Sequence, residues 1–249
     1  MKSRKSYWKA ILIGLLLIPV NSFWIARSET GSLIFYSTTS SLFCNAIFTL
    51  FILTLLNSFT KLWFKSGFLD QRELLVVYVM VTSASAMSGE SVGQQIVRDM
   101  SAPFWYETPE NEWSALFFHY LPKWLTVDTK HVLKAFYDSN IGESSSLLYT
   151  SLHIKTWLIA LLPWLAFILL LMFIMICINS IVRRQWIEHE KLTYPVAQLP
   201  LAMTNSSDNL LKNKRMWIGF SIGGGLTLLN GFHAIIPAVP GIQNIYNMS

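Results

Sequence analysis

Trp157 to Ser180 reads WLIALLPWLAFILLLMFIMICINS and contains no charged residue. A helix needs roughly 20 apolar residues to cross about 30 Å of hydrocarbon, and this stretch supplies them almost without interruption. A soluble amphipathic helix would show a polar face instead. Working outward, three more stretches qualify: Ala10 to Ala26, apolar apart from Asn21 and Ser22; Leu33 to Leu56; and Met216 to Ile236, which is apolar but rich in glycine. A fifth, Leu74 to Gly89, ends in Thr82-Ser83-Ala84-Ser85-Ala86-Met87-Ser88-Gly89. Small and hydroxyl side chains of that kind favour neighbouring helices over lipid. The expected fold class is therefore all-α: a polytopic integral membrane helical bundle of about five transmembrane helices, with a helical outer segment between spans 3 and 4.

Composition agrees. The 249 residues are 53% hydrophobic and 13% charged, against about 25% charged in soluble domains, and mean hydropathy is +0.42. Disorder, collagen and a nucleic-acid-binding tail are excluded. Lys2, Arg4, Lys5 and Lys9 ahead of the first apolar stretch also fit a secretory leader. Bulky Phe23 and Trp24, however, stand where a small-x-small cleavage site would be sought, so the stretch reads as a first transmembrane helix. Cys44 and Cys177 both lie inside apolar runs, with no disulfide or zinc-knuckle spacing, and read as buried free thiols.

Orientation follows from Lys and Arg beside the spans, because positive loops stay cytoplasmic. The N-terminus carries four, the connection from Thr60 to Glu73 three and the connection from Ile181 to Arg215 six, leaving six on the other side. The net charge of +5 is thus a topology signal, not a nucleic-acid footprint. The expected organisation is transmembrane helices 1–3 over 1–89, an extracytoplasmic helical segment with interfacial aromatics over 90–151, transmembrane helix 4 over 152–181, a cytoplasmic basic connection over 182–215, and transmembrane helix 5 with a Pro-rich end over 216–249. In the outer segment Thr108-Pro109 reads as a helix start, with Trp113, Phe117, Tyr120 and Trp124 along one face until Pro122 intervenes. A second short helix is expected from Asp128 through Val132, Leu133 and Phe136.

Polar groups at membrane depth are the candidate functional residues, since they are costly there unless they face a cavity, a partner or water. Ser83, Ser85, Ser88, Gly89 and Glu90 on the third span and Gly223, Gly224, Gly225, Asn230 and His233 on the fifth are candidates to line a substrate path. Three successive glycines weaken a helix by about 1 kcal/mol each relative to alanine, so the fifth span is a candidate for the broken helix of a transporter site; close packing of an unbroken helix explains the glycines equally well. Gly89-Glu90-Ser91-Val92-Gly93 matches the G-x-S-x-G pattern of a nucleophile elbow, but without the strand-turn-helix context it needs. A membrane serine hydrolase with Ser91 and His233 is kept as an alternative. Glu188-His189-Glu190 are consecutive and do not converge on a helix, and no phosphate-binding glycine loop is present; neither a metal site nor a cofactor is expected.

The cytoplasmic stretch Arg183-Arg184-Gln185-Trp186, Glu188, Glu190-Lys191-Leu192-Thr193-Tyr194-Pro195 resembles a segment of a prokaryotic polytopic membrane family of unknown function, DUF6785, itself distantly similar to the oligopeptide transporter (OPT/YSL) superfamily. Arg72-Glu73-Leu74-Leu75 with Tyr78, and Gly219, Asn230-Gly231-Phe232-His233 and Pro237-Ala238-Val239-Pro240, agree in order. The family motif falls on Arg183, Arg184, Trp186, Glu190, Leu192, Thr193, Tyr194 and Pro195. Where the oligopeptide transporters follow this string with small residues, Val196-Ala197-Gln198-Leu199-Pro200 stands here, so no substrate contact carries over. The resemblance implies a much longer secondary transporter-like protein, with a dozen or more spans arranged as repeats, of which this chain would be an N-terminal part, and with peptides or metal chelates as solutes. Its physical reading is plainer: Pro195 fixes the start of the next segment and pushes Tyr194 toward an extended conformation.

The expected function is movement of a small solute across the cytoplasmic membrane, with the lipid bilayer, an unknown solute and a missing C-terminal half or another subunit as partners. A non-catalytic membrane scaffold, binding through its aromatic outer segment, is the third reading.

Overall fold

The structure, a computed structural model, describes residues 7–31, 38, 40–64, 67–138, 151–190, 194–205, 213–236 and 238–241. Among them every regular element is helical, as the hydropathy pattern requires. Helix α1 spans Trp8–Gly31, α2 Cys44–Phe64 and α3 Gln71–Ser88; a π-helical turn, Glu90–Gln94, leads into α4, Gln95–Trp105. The short α5, Trp113–Leu116, and α6, Lys130–Tyr137, follow, then the long α7, Ser151–Arg184, α8, Pro195–Thr204, and α9, Lys214–Ile235.

Among the described residues four stretches are long and apolar enough to cross a membrane: Trp8–Glu29, Cys44–Lys61, Gln71–Trp105 and Ser151–His189. The chain is a helical membrane protein. The fifth expected span is present as α9, but Gly219, Gly223, Gly224, Gly225, Gly231, Asn230 and His233 dilute its apolar content, and it is not one of the four. Gln71–Trp105 has 35 residues, about 52 Å at about 1.5 Å per residue, so it exceeds the roughly 30 Å of hydrocarbon. Helical structure resumes after an interruption at Gly89 and runs on into the segment assigned to the outside.

Several expectations are corrected. α2 begins at Cys44 rather than Leu33, because Thr38 turns its polar groups to Glu29 and the hydroxyl residues Ser40 and Ser41 lie in a bend. Cys44 and Cys177 are free thiols, yet both are exposed rather than buried: they sit on apolar helix surfaces of the kind that meets hydrocarbon. No long helix starts at Thr108. Asn111 accepts from the N–H of Thr108 (3.1 Å) and of Trp113 (3.3 Å) and donates to the Tyr106 carbonyl (2.9 Å), competing with the helical ladder. Glu112 then adopts a left-handed φ of 48°, and only α5 and a 3-10 turn at Phe118–Tyr120 form. In the turn at 108–111 the Thr108 hydroxyl, followed by a backbone amide, holds the Glu110 carboxyl below its ordinary range. The second short helix forms as expected, as α6.

The chain divides into two compact units, and α1, α2 and α3 contribute to both. One comprises Met1–Gly14, Ile47–Val79 and Pro195–Ser249. Its core is Leu50, Leu69, Leu74 and Met203, with Ile13, Phe51 and Tyr78 packed around them. Phe51 meets Trp217 and Phe220 of α9 at ring-centroid distances of 6.1 and 5.4 Å. Asn57 clamps the α2–α3 link from both sides, donating to the Leu69 carbonyl (2.8 Å) and accepting from the Leu69 N–H (3.0 Å). Gly67 lies against it: an added Cβ would stand 2.9 Å from Asn57 Oδ1. α3 then starts with Glu73 reaching back to the Asp70 N–H at 2.8 Å, half of a capping box.

The second unit comprises Leu15–Ala46 and Met80–Tyr194. Met100, Val127, Val132, Leu133 and Ala160 form its buried core, flanked by Phe104, Trp105, Tyr137, Trp157 and Trp164. Three polar links tie segment 121–138 to α4 and α7: Val127 N–H to the Met100 carbonyl (3.1 Å), Trp164 Nε1 to the Leu125 carbonyl (3.2 Å), and Ser101 Oγ with the Tyr137 hydroxyl (2.8 Å). Such partners are what buried Trp and Tyr need.

Candidate functional site

The site grows from the last turn of α1. Glu29 is 4% exposed, and a buried carboxylate is costly unless donors surround it. Here they do. Oε1 accepts from the Thr38 N–H (2.9 Å) and hydroxyl (2.7 Å); Oε2 accepts from the Glu90 N–H (2.8 Å) and the Gln94 side-chain amide (3.2 Å). Hydrogen bonds to an ionised acceptor are about twice as strong as neutral ones.

This carboxylate explains the break in the Gln71–Trp105 rod. In a regular helix the Glu90 N–H would bond to the carbonyl of Ala86, four residues back. It bonds to Glu29 instead. Gly89 is extended (φ −77°, ψ 171°), and its carbonyl accepts from Val92 and Gln94 (3.3 Å each), the second being the wider π spacing. Glycine is required at 89 because of space: a Cβ there would run into the Thr38 side chain, and one at Gly93 into the Met87 carbonyl. π-turns inside α-helices occur frequently at functional sites.

Below the break on α3, Ser85 is 1% exposed and receives a hydrogen bond from Asn45 Nδ2 (2.8 Å), which also bonds to Asn21 Oδ1 (3.0 Å). Asn21 and Asn45 are likewise buried, and Asn21 Nδ2 returns to the Leu17 carbonyl of its own helix (3.0 Å). Three helices are thus joined by polar side chains inside their apolar stretches.

Of the residues singled out from sequence, Ser85, Gly89 and Glu90 come together around this break. Ser83 is half-buried. Ser88 spends its hydroxyl on the Ala84 carbonyl of its own helix (2.8 Å). The Glu90 carboxylate forms an ion pair with Arg98, two turns on, and Arg98 also bonds to Gln95 (3.0 Å). The candidates on the fifth span belong to the other unit. There α9 runs unbroken through Gly223, Gly224 and Gly225: glycine keeps its N–H, so a helix supported elsewhere loses no ladder bond. Asn230 is half-buried. His233 Nδ1 lies 2.6 Å from the Val239 carbonyl; a carbonyl only accepts, so that nitrogen carries the proton. An added Cβ at Gly241 would stand 2.6 Å from the same ring.

Ser91 lies in the π-turn, with no strand before it, and its hydroxyl makes no hydrogen bond among the described residues. That is not an elbow. In the motif stretch, Arg183 and Arg184 end α7, Arg184 pairs with Glu188 (3.1 Å) across one turn, and Trp186 lies in a second π-turn. Glu190 accepts from Gln185 (3.5 Å). Tyr194 is exposed, and Pro195 opens α8 as its proline geometry implies. Leu192 and Thr193 lie outside the described residues.

Sequence reasoning missed Glu29, Thr38, Asn45 and Gln94. The available signals were an acid within one turn of the first span's expected end and an asparagine inside the second apolar run.

The family described as "Family of unknown function (DUF6785)" matches this chain over residues 1–249. The chain belongs to that family. No curated protein and no solved structure matches it.

Proposed function

We propose that this DUF6785 member is a secondary transporter-like protein that moves a small solute across the cytoplasmic membrane by alternating access, with its N-terminus in the cytoplasm. One observation carries the reading: a membrane-length apolar helix is interrupted at Gly89–Gln94, and a buried carboxylate from α1 takes up the freed backbone N–H. Irregular backbone at membrane depth is tolerated only where protein or a water-lined cavity covers it, and discontinuous helices of this kind mark transporter sites. The buried Asn21–Asn45–Ser85 chain adds hydrogen-bonding groups at the depth a polar solute must cross. Ser83, Ser88, Glu90, Gly223, Gly224, Gly225, Asn230 and His233 remain path candidates. The resemblance of the Lys191-Leu192-Thr193-Tyr194-Pro195 string to one in the oligopeptide transporters favours peptides or metal chelates. The Lys and Arg distribution supports the orientation.

The test is solute uptake into proteoliposomes under an imposed proton gradient, comparing wild type with Glu90→Gln. Reduced uptake with an altered pH profile is expected. If uptake and its pH dependence are both unchanged, Glu90 is not on the path; if no proton-driven uptake of di- or tripeptides or chelates occurs at all, the transport reading fails.

A further inference from the structure

Segment 104–130, in the second unit, holds a cavity of about 310 Å³ that the transport reading does not use. This is the lower end of the size range of small-molecule sites. Phe104 and Phe118 form one wall, their ring centroids 4.5 Å apart. The lining carries four charged residues: Lys123 and Lys130, Glu107 and Asp128. Two cations and two anions thus share one small opening, yet among the described residues none of the four makes an ion pair or a side-chain hydrogen bond. This contrasts with Glu90–Arg98 and Arg184–Glu188, where opposite charges in the same chain do close on each other. A ligand of one charge would satisfy two of these groups and repel the other two. A ligand carrying both charges satisfies all four, and its ammonium end gains from the electron-rich faces of the Phe104–Phe118 wall.

We propose that this cavity binds a zwitterionic group, its anion held by Lys123 and Lys130 and its ammonium by Glu107 and Asp128. Two sources share that chemistry: the headgroup of a zwitterionic phospholipid and a soluble zwitterion. The surroundings suit the lipid. Leu116, Tyr120 and Trp124, all exposed, flank the cavity along the chain, and rings with one apolar and one polar end gather at headgroup depth. None of the residues lining the cavity belongs to the Gly89–Gln94 break, so occupancy is measurable whether or not the protein transports.

The experiment uses the full chain in detergent. Isothermal titration with O-phosphoethanolamine, inorganic phosphate and ethanolamine reads the chemistry, and native mass spectrometry of protein purified from phosphatidylethanolamine or phosphatidylglycerol nanodiscs reads the source. O-phosphoethanolamine is expected to bind at least tenfold more tightly than either half alone. Lys123→Ala with Lys130→Ala, and separately Glu107→Gln with Asp128→Asn, are each expected to remove at least tenfold of that affinity while helical circular dichroism stays unchanged. Retention of phosphatidylethanolamine by wild type and its loss in both variants identifies a lipid source; binding of O-phosphoethanolamine with no retained lipid identifies a soluble one. Absence of both kinds of binding, a zwitterion no tighter than its halves, or affinity unaffected by either pair of substitutions overturns the proposal.

Discussion

Replacing Glu29 by Gln keeps the shape of the side chain and removes one acceptor oxygen. Whichever way the amide turns, its NH2 faces a pair of groups that includes a fixed backbone donor: Thr38 N–H on one side, Glu90 N–H on the other. The Thr38 hydroxyl can rotate and the Gln94 amide can flip to accept, but a backbone N–H can do neither. One buried donor is therefore stranded, at about 1–3 kcal/mol. The bonds that survive lose charge assistance, roughly a further 1 kcal/mol. The total, about 2–4 kcal/mol, corresponds to a drop of about 5–15 °C in Tm for a chain of this length. Glu90→Gln is the control. It removes an ion pair whose arginine side chain is 44% exposed, and exposed pairs are worth about 0–1 kcal/mol. Thermal unfolding in detergent micelles, followed by tryptophan fluorescence, measures both. If Glu29→Gln melts within about 2 °C of wild type, or if Glu90→Gln is the more damaging, the carboxylate does not hold the break.

The glycines separate in the same assay. Gly89→Ala, which drives a methyl into Thr38, should cost about 1–3 kcal/mol, whereas Gly223→Ala meets nothing within 4 Å and should stabilise α9 by up to about 1 kcal/mol; equal effects would remove the steric argument. Thr108→Val should let the Glu110 carboxyl return upward to its ordinary range, seen by carboxyl NMR titration. Because the folded value is the depressed one, the interaction supports the turn at neutral pH and is lost as pH falls through that value. A cysteine at exposed Lys123 should react with a membrane-impermeant maleimide from outside intact cells and one at Arg184 should not; the reverse pattern inverts the orientation. A fluorophosphonate probe should leave Ser91 unlabelled, and label that vanishes in Ser91→Ala would revive the hydrolase alternative.

The membrane class was legible because Trp157 to Ser180 leaves hydrocarbon as the only suitable solvent, a property that accumulates residue by residue along the sequence. α6 and the start of α8 were legible for local reasons: an apolar spacing at Val132, Leu133 and Phe136, and a proline whose ring presets the first turn. The α3 break was not, because its cause is non-local. Nothing between Ser85 and Gln94 says that the Glu90 N–H will find an acceptor sixty-one residues earlier in the chain. Glu29 lies just past the expected end of the first span at Ala26, and only the fold shows it buried. The aromatic face expected over Trp113–Trp124 failed for the opposite reason: periodicity was present, but Asn111 offered the backbone closer partners than the helical ladder.

The placement of the break also follows from which interactions can compete with a helix. At Gly223–Gly225 the sequence weakens the helix, but among the described residues nothing stands within 4 Å of a Cβ added at these glycines, and α9 continues through them. At Gly89 a single glycine suffices, because Glu29 offers the Glu90 N–H a charged acceptor stronger than the Ala86 carbonyl it gives up. The alternative arrangement of the same residues is defined: Glu90 bonded back to Ala86, with α3 and α4 continuous. It requires Glu29 to surrender the Glu90 N–H while remaining buried. The proposed alternating access would need that second register as well as the one observed, with the Glu29 carboxylate setting the balance between them. Weakness alone, as at Gly223–Gly225, leaves the helix continuous.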